Sequence, residues 1–483
     1  MSDSLKEKSI KGVSWSFVEQ VLTRGVNFVI GIILARLLSP TDYGLVGMIS
    51  VFIVVSQIFI DGGLASALIR EKDASEVDYS TVFITNITLS IIFYFLLFFS
   101  APVIANFYNQ PLLQPLLRVV SLSLVIGALS SVHGTVITKR VDFKSKTLIS
   151  ILTAIISGAA GIFCAVKGFG VWALVAQTLT AAVVVTVVTI LLAHWRPRAG
   201  FSKESFKRLF SFSSKILGSS LIHTLYENAY PLVIGKKFSA RDVGLFSRGG
   251  QFPSVANQTL VSTFNRVAYP VLSQIQDDDR HLMRAYEKYI EVFCFLAFPI
   301  LMGLCGCAKP LILLLLTDKW MDCIPMMQIF CFSFLPNGLV LINLNLLYVK
   351  GRSDLALRME IIKKTIMFSV LLITMYFGLM AICYGLIVNA FIDLYFSSFY
   401  TKKILDYSLW QQLRSIFPYF LVSLVVLVES HFISYLIDSY LIAIIVSAVV
   451  CILSYWGISK LVKLSAYQEV IDGLKPFLSR FRR

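Results

Sequence analysis

Charged residues are scarce in this chain of 483 residues. Only 15% of the residues are Asp, Glu, Lys or Arg, and 57% are hydrophobic, whereas about 25% of a typical soluble domain is charged. The mean hydropathy of +0.77 excludes a water-soluble fold for most of the chain. Because a helix satisfies its backbone hydrogen bonds within its own segment, these numbers predict an all-α, polytopic membrane protein.

Acidic residues are the scarcer charged class, with 28 Asp and Glu against 43 Lys and Arg, which gives a net charge of +15. A basic balance can indicate nucleic acid, but most of these basic residues fall in one alternate set of short loops. That distribution is the positive-inside pattern of membrane proteins. It predicts that both termini are cytoplasmic and that no nucleic acid is a partner.

Enzyme and metal motifs are missing too. The chain contains no GxSxG, HExxH or Walker loop, so we predict no catalytic residue, no metal ligand and no cofactor. The eight cysteines lie mostly inside apolar runs, and Cys305-x-Cys307 has no second pair, which predicts packing rather than a metal or disulfide framework. Without a nucleotide site, active transport would draw on an H⁺ or Na⁺ gradient, or on removal of the product.

Fourteen hydrophobic segments are long enough to cross a bilayer, which takes about 20 helical residues. They lie at 12–38, 42–68, 79–102, 114–138, 147–166, 170–193, 213–236, 242–270, 283–306, 324–349, 356–378, 380–401, 412–434 and 439–460. An even number of spans agrees with two termini on the same side. The run Lys309–Lys319 is too short to span and predicts a surface or re-entrant helix.

Two halves of the chain share sequence landmarks. The segment SPTDYG at Ser39–Gly44 recurs as SARDVG at Ser239–Gly244, and RVD at 140–142 recurs as RSD at 352–354. The repeat predicts two pseudo-symmetric six-helix lobes, an arrangement in which transporters bind substrate at the repeat interface. In both segments the serine or aspartate should cap the next helix, and the glycine should allow tight packing.

The repeat predicts a division of the chain into four parts. These are an N-lobe at 1–193, a cytoplasmic linker at 194–212, a C-lobe at 213–403, and two further spans with a basic tail at 404–483. Phenylalanines alternate with lysines and arginine in the linker, as in a basic amphipathic helix on a membrane surface.

Some predicted spans carry cations, although a charge in lipid costs several kcal/mol. On the first span Gln20, Arg24 and Asn27 lie on one stripe. Arg248 and Arg266 are both on the eighth span, five helical turns or about 27 Å apart. Since arginine binds phosphate oxygens through two hydrogen bonds, these residues predict a path for an anionic head group. Alternatively, Arg248 and Arg266 extend from the helix ends to opposite interfaces.

Three carboxylates are candidates for coupling transport to a cation: Asp61, Glu227 and Asp393. Glu227, in the seventh span, is alternatively a substrate-binding residue or the ion-pair partner of Arg24. Asp61 precedes two glycines, which predict a helix break that its carboxylate could cap. Lys363 and Lys364, by contrast, are interpreted as solvated charges that flank a span.

Three segments resemble a known family: LARLLSPTDYGLVGM at Leu34–Met48, FIDGGLASALIREKD at Phe59–Asp73, and GVWALVAQ at Gly170–Gln177. They are similar to the polysaccharide-exporter branch of the multidrug/oligosaccharidyl-lipid/polysaccharide (MOP) exporter superfamily, and to its Wzx-type, colanic-acid-exporter-like lipopolysaccharide O-unit flippases. The resemblance implies a V-shaped, two-lobe carrier of fourteen helices in the bacterial inner membrane.

Such a carrier would move undecaprenyl-diphosphate-linked oligosaccharide to the periplasmic leaflet by alternating access, for surface polysaccharide export. The family uses cavity arginines for the diphosphate, a role that the resemblance suggests for Arg24, Arg248 and Arg266. Membrane lipids and a polysaccharide polymerase or chain-length machinery are the expected partners.

Other functions stay open from the sequence. A flippase for a lipid-linked peptidoglycan precursor and a cation-coupled multidrug exporter belong to the same superfamily, although drug exporters would favour acidic interior residues. A membrane polymerase or ligase would need a large outer loop to process glycans, and the longest outer segment predicted here is about 308–323.

Overall fold

A computed structural model describes residues 22–71 and 73–472, except for the side chains at positions 215, 216, 219 and 223. This part of the chain is helical and contains no strand, which confirms the predicted all-α class. Clustering of contacts gives two compact units, Met1–Gly244 and Leu245–Arg483.

The first unit contains ten helices and the beginning of another among its described residues. They are α1 (22–37), α2 (Pro40–Asp61), α3 (Leu64–Arg70), α4 (Glu76–Tyr108), α5 (Leu113–Val120), α6 (Leu122–Lys139), α7 (Phe143–Val166), α8 (Trp172–Ala193), α9 (Lys203–Glu227), α10 (Ala229–Lys237) and the start of α11 (Ala240–Gln274). In this unit α8 packs along both α6 and α7.

The second unit contains the rest of α11 and a further set of helices. They are α12 (Asp279–Gly306), α13 (Ala308–Leu316), α14 (Ile324–Phe334), α15 (Asn337–Val349), α16 (Ser353–Thr374), α17 (Leu379–Leu405), α18 (Leu409–Leu436), α19 (Tyr440–Leu461) and α20 (465–472). A 3-10 turn at Asp318–Cys323 precedes α14. The run Lys309–Lys319, which is too short to span a membrane, lies largely in the nine-residue helix α13.

Ten of the fourteen predicted spans correspond to helices with the length and hydropathy of membrane spans. The other four predictions fall on the part of the chain that includes α1, on α9 with α10, on α11, and on α16. These helices carry more polar residues, as membrane helices do when one face lies against protein or water rather than lipid. The chain is therefore a multi-pass membrane protein, and the number fourteen stays a prediction.

Two capping boxes begin α2 and α11 in the same way. The Asp42 carboxylate accepts hydrogen bonds from the Ser39 backbone N–H at 2.8 Å and from its hydroxyl at 2.6 Å. Asp242 and Ser239 repeat these contacts at 3.1 and 2.6 Å. Because each box satisfies orphan donors of the first helical turn, the repeated sequence fixes two helix starts, and the predicted caps are confirmed.

The linker is not a separate helix. Residues 194–202 are non-helical, and α9 then runs without interruption from Lys203 into the predicted seventh span. No proline or glycine lies between 203 and 217 to stop it. Positions 203–212 of the predicted linker are thus the beginning of α9, and the cytoplasmic, membrane-surface position of the linker at 194–212 stays a prediction.

The linker also packs against α4, within the first unit. Trp195 Nε1 donates a hydrogen bond to Glu76 at 3.0 Å, and Arg208 forms a 2.6 Å ion pair with Asp78, whose side chain is buried. The compact unit consequently extends to Gly244, beyond the lobe limit at 193. The division into two repeated lobes at 1–193 and 213–403 stays a prediction.

A buried polar network joins four helices of the second unit. Asn343 Nδ2 donates to Ser397 Oγ at 3.1 Å and to Gln412 Oε1 at 3.2 Å, and Tyr286 donates to Asn343 Oδ1. All four residues are fully buried. Since unsatisfied polar groups are costly in a membrane protein, such a network fixes one arrangement of α12, α15, α17 and α18.

Candidate functional site

The second half of α11 has an exposed polar face. Gln258, Thr259, Thr263 and Arg266 are exposed, and Ser262 is half-buried. At about 100° per residue these five positions span roughly 140° and therefore lie on one side of the helix. The Arg266 guanidinium has no ion-pair partner in the described part of the chain. Polar side chains in a stripe of this kind, on a helix about 52 Å long, favour water or protein over lipid tails as their surroundings.

Arg248, on the same helix, is in a different environment. It is 8% exposed, its guanidinium lies 5.7 Å from the centre of the Trp320 ring, and Nη1 donates a hydrogen bond to Gln251. The helix is continuous between Arg248 and Arg266, as predicted. Of the two, only Arg266 is exposed enough to meet a ligand without rearrangement, and the role of both arginines as substrate contacts stays a prediction.

In the first unit, Arg24 and Asn27 lie on the exposed side of α1, whereas Ile30 and Leu34 are buried. The two polar residues thus share a face directed away from the apolar core, as their spacing predicts. Gln20, the third member of that stripe, lies outside the described residues.

Glu227 is the last residue of α9 and is exposed. The next residue, Asn228, caps α9 through its backbone N–H, and α10 follows at once. Among the residues that the structure describes, no ion pair joins Glu227 to Arg24. The carboxylate is therefore placed for solvent or ligand, and the proposed pairing with Arg24 is not seen.

Asp61 ends α2, and the predicted helix break is present because Gly62 and Gly63 both have positive φ angles of 51° and 71°. The prediction that Asp61 caps the next helix is wrong, since no side chain caps α3. Its carboxylate instead accepts a 3.0 Å hydrogen bond from Gln57, one turn earlier in α2. Asp61 also borders an open cavity of 590 Å³ that Lys146 and small polar residues line.

Asp393 is engaged by a buried lysine. Lys363 Nζ lies 2.7 Å from Asp393 Oδ1 and also contacts Glu360, and only 4% of the Lys363 side chain is exposed. The sequence interpretation of Lys363 as a solvated flanking charge is therefore wrong. A signal was present, because Lys363 occupies a regular stripe of α16 whose other members are all apolar: Ala356, Met359, Met367 and Leu371.

The two repeated glycine motifs contact each other within the first unit. A Cβ atom added at Gly44 would lie 1.6 Å from the Ala240 carbonyl oxygen, and one added at Gly244 would lie 1.9 Å from that of Pro40. Only glycine permits backbones this close. The predicted tight packing is thus confirmed, and the starts of α2 and α11 form a reciprocal crossing.

Comparison with known proteins then identifies the family. Residues 33–325 match the model of a family described as polysaccharide biosynthesis protein, and this match covers more than half of the chain. The chain belongs to that family.

The chain aligns with most of the length of its curated relatives. The chain is 26% identical over 436 residues to lipopolysaccharide biosynthesis protein WzxC of Escherichia coli strain K12, covering 89% of this chain and 88% of the relative. It is also 26% identical over 334 residues to succinoglycan biosynthesis transport protein ExoT of Rhizobium meliloti strain 1021, covering 69% and 68%.

Solved structures define the fold of this family member. The lipid II flippase MurJ in an inward closed conformation aligns with a TM-score of 0.74 at 13% identity, over 94% of this chain and 99% of MurJ. An inward-facing multidrug resistance MATE transporter of the MOP superfamily aligns with a TM-score of 0.60 at 15% identity, over 83% and 95%. The fold is therefore that of these polytopic transporters, in agreement with the resemblance found in the sequence.

Proposed function

We propose that this protein is a flippase that moves undecaprenyl-diphosphate-linked oligosaccharide across the bacterial inner membrane by alternating access, for the export of surface polysaccharide. This proposal rests on the exposed polar side chains of α11 between Gln258 and Arg266. A sugar and a diphosphate need water or hydrogen-bonding side chains along their path, and such a face supplies them at membrane depth.

Arg24 and Arg266 are the proposed contacts for the diphosphate, since both are exposed on helices with polar faces. Arginine stays charged and can hold two phosphate oxygens at once. We assign Arg248 a supporting role, because Trp320 and Gln251 already hold its guanidinium. Asn27 and Glu227 are proposed to bind the sugar through hydrogen bonds.

The substrate class draws on the relatives as well as on the arginines. By their names, WzxC acts in lipopolysaccharide biosynthesis and ExoT in transport for succinoglycan biosynthesis. A polysaccharide polymerase or chain-length protein would act on the delivered units. The distribution of basic loops supports an orientation with both termini in the cytoplasm.

Energy for the cycle is proposed to come from an H⁺ or Na⁺ gradient. Asp61 is the favoured coupling residue, because it borders an open cavity that Lys146 and several hydroxyl side chains help to line. The carboxylate of Asp393, by contrast, is already paired with the ammonium of Lys363. Glu227 is a second candidate because its carboxylate is exposed.

The function is tested by replacing Arg266 with alanine in cells that depend on this protein for surface polysaccharide. A charge-assisted hydrogen bond contributes about 1.5–3 kcal/mol, so we expect at least a tenfold loss of surface polysaccharide with an unchanged protein level in the membrane. Arg358→Ala is the matched control, because Arg358 is an exposed arginine on α16 outside the proposed path. Wild-type export by the Arg266→Ala variant would contradict the assignment.

A further inference from the structure

A second basic site lies at one end of the second unit. An open cavity of 710 Å³ has walls formed by Arg280 and Arg284 of α12 and by Lys402 and Lys403 of α17. All four side chains are exposed, and none forms an ion pair within the described part of the chain. Four cations in one cavity attract an anion of more than one negative charge, or one with several acceptor oxygens.

The acidic residues at this cavity do not cancel its charge. Asp279 is already paired with Lys350, whose Nζ lies 2.7 Å from Asp279 Oδ1 and also donates to the Gln276 carbonyl oxygen at 2.6 Å. Asp406 follows α17 and is the one other carboxylate in the wall. The unpaired side chains therefore leave the cavity with a clear positive excess.

The remaining wall of the cavity is apolar. Met283, Ile404 and Leu405 line it beside the cations, and the ammonium of Lys403 lies 4.8 Å from the centre of the Phe399 ring. A cavity whose wall combines cations with aliphatic side chains matches a molecule with a phosphate joined to hydrocarbon. A free nucleotide or sugar phosphate would leave the apolar part unused.

The position of the cavity agrees with a lipid ligand. It lies where α12 begins and α17 ends, next to the connection that carries Lys350. The positive-inside pattern assigns all three of these chain segments to the cytoplasmic side. Basic pockets between membrane helices on that side are typical sites for anionic lipid head groups.

We propose that this cavity binds the phosphate of an anionic phospholipid of the cytoplasmic leaflet. The inference is independent of the transported substrate, because none of the four cations belongs to the proposed transport path. A lipid bound there would join α12 to α17 through its phosphate.

The test uses the full-length protein purified in a non-ionic detergent, with bound lipid counted by native mass spectrometry. Phosphatidylglycerol, phosphatidylcholine and inorganic phosphate are added separately to wild type and to the variant Arg280→Gln, Arg284→Gln, Lys402→Gln, Lys403→Gln. The control variant carries Lys144→Gln, Lys167→Gln, Lys309→Gln and Arg358→Gln, which removes four exposed cations outside the cavity and the linker. Thermal melting verifies that all three proteins are folded.

We expect wild type and the control variant to bind phosphatidylglycerol at least tenfold more tightly than the cavity variant does. Phosphatidylcholine and inorganic phosphate should bind weakly to all three. Equal binding of phosphatidylglycerol by the cavity variant, or equal losses in both variants, would overturn the proposal. Inorganic phosphate that bound as tightly as the lipid would also overturn it, by showing a site for soluble anions.

Discussion

We expect Gly44→Ala to remove at least nine-tenths of the folded protein from the membrane, and transport with it. The added Cβ would lie 1.6 Å from the Ala240 carbonyl oxygen and 2.5 Å from its carbon. Because the obstacle is backbone, no change of rotamer relieves it, and the starts of α2 and α11 would have to separate. The amount of monodisperse protein extracted from membranes measures the effect.

Two further glycine variants make this prediction specific. Gly244→Ala should have the same effect, since its Cβ would lie 1.9 Å from the Pro40 oxygen. Gly134→Ala in α6 is the control, because nothing lies within 4 Å of the added atom and alanine favours a helix by about 1 kcal/mol over glycine. Normal yields of both Gly44→Ala and Gly244→Ala would show that the reciprocal crossing is absent from the native protein.

The second large effect is expected at Lys363. Replacing it with methionine leaves the carboxylates of Asp393 and Glu360 without their cation, and loss of one partner of a buried ion pair costs about 3–5 kcal/mol. The Lys363→Met protein should therefore melt at a much lower temperature than wild type. Arg358→Met is the control on the same helix, because Arg358 is exposed and its loss should have little effect on melting.

A double variant separates stability from coupling at this position. When Asp393→Asn accompanies Lys363→Met, only the carboxylate of Glu360, whose side chain is 35% exposed, is left without its cation. We therefore expect both melting temperature and transport to recover most of the loss. A stable double variant that fails to transport would instead make Asp393 part of the coupling machinery. That outcome would contradict the proposal that Asp61 is the residue that couples transport to a cation gradient.

The parts of the fold that could be predicted depend on local interactions. A capping box needs only residues three positions apart. The sequence could therefore predict the caps formed by Ser39 with Asp42 and by Ser239 with Asp242. Apolar runs likewise predicted the helices that meet the criteria for membrane spans. The close packing at Gly44 and Gly244 was predictable because both glycines belong to a repeated motif, although their direct contact with each other was not.

The parts that could not be predicted depend on partners far along the chain. Arg248 was expected in a substrate path, but Trp320, in a turn many residues later, holds its guanidinium. Similarly, Asp78 on α4 binds Arg208 of the linker. Periodicity could have revealed Lys363, because a lysine within an otherwise apolar helical stripe must find a counter-ion. Glu360 on the same predicted span and Asp393 on the next span were the candidate acids.

The central claim is that arginines on exposed polar faces carry a lipid-linked diphosphate across the membrane. The most direct measurement is flipping of undecaprenyl-diphosphate-linked oligosaccharide by purified protein in proteoliposomes, with either an H⁺ or a Na⁺ gradient imposed. We predict rapid flipping by wild type, and at least a tenfold slower rate for the variant that carries Arg24→Ala and Arg266→Ala, at equal amounts of folded protein. Flipping by that variant at the wild-type rate would contradict the account.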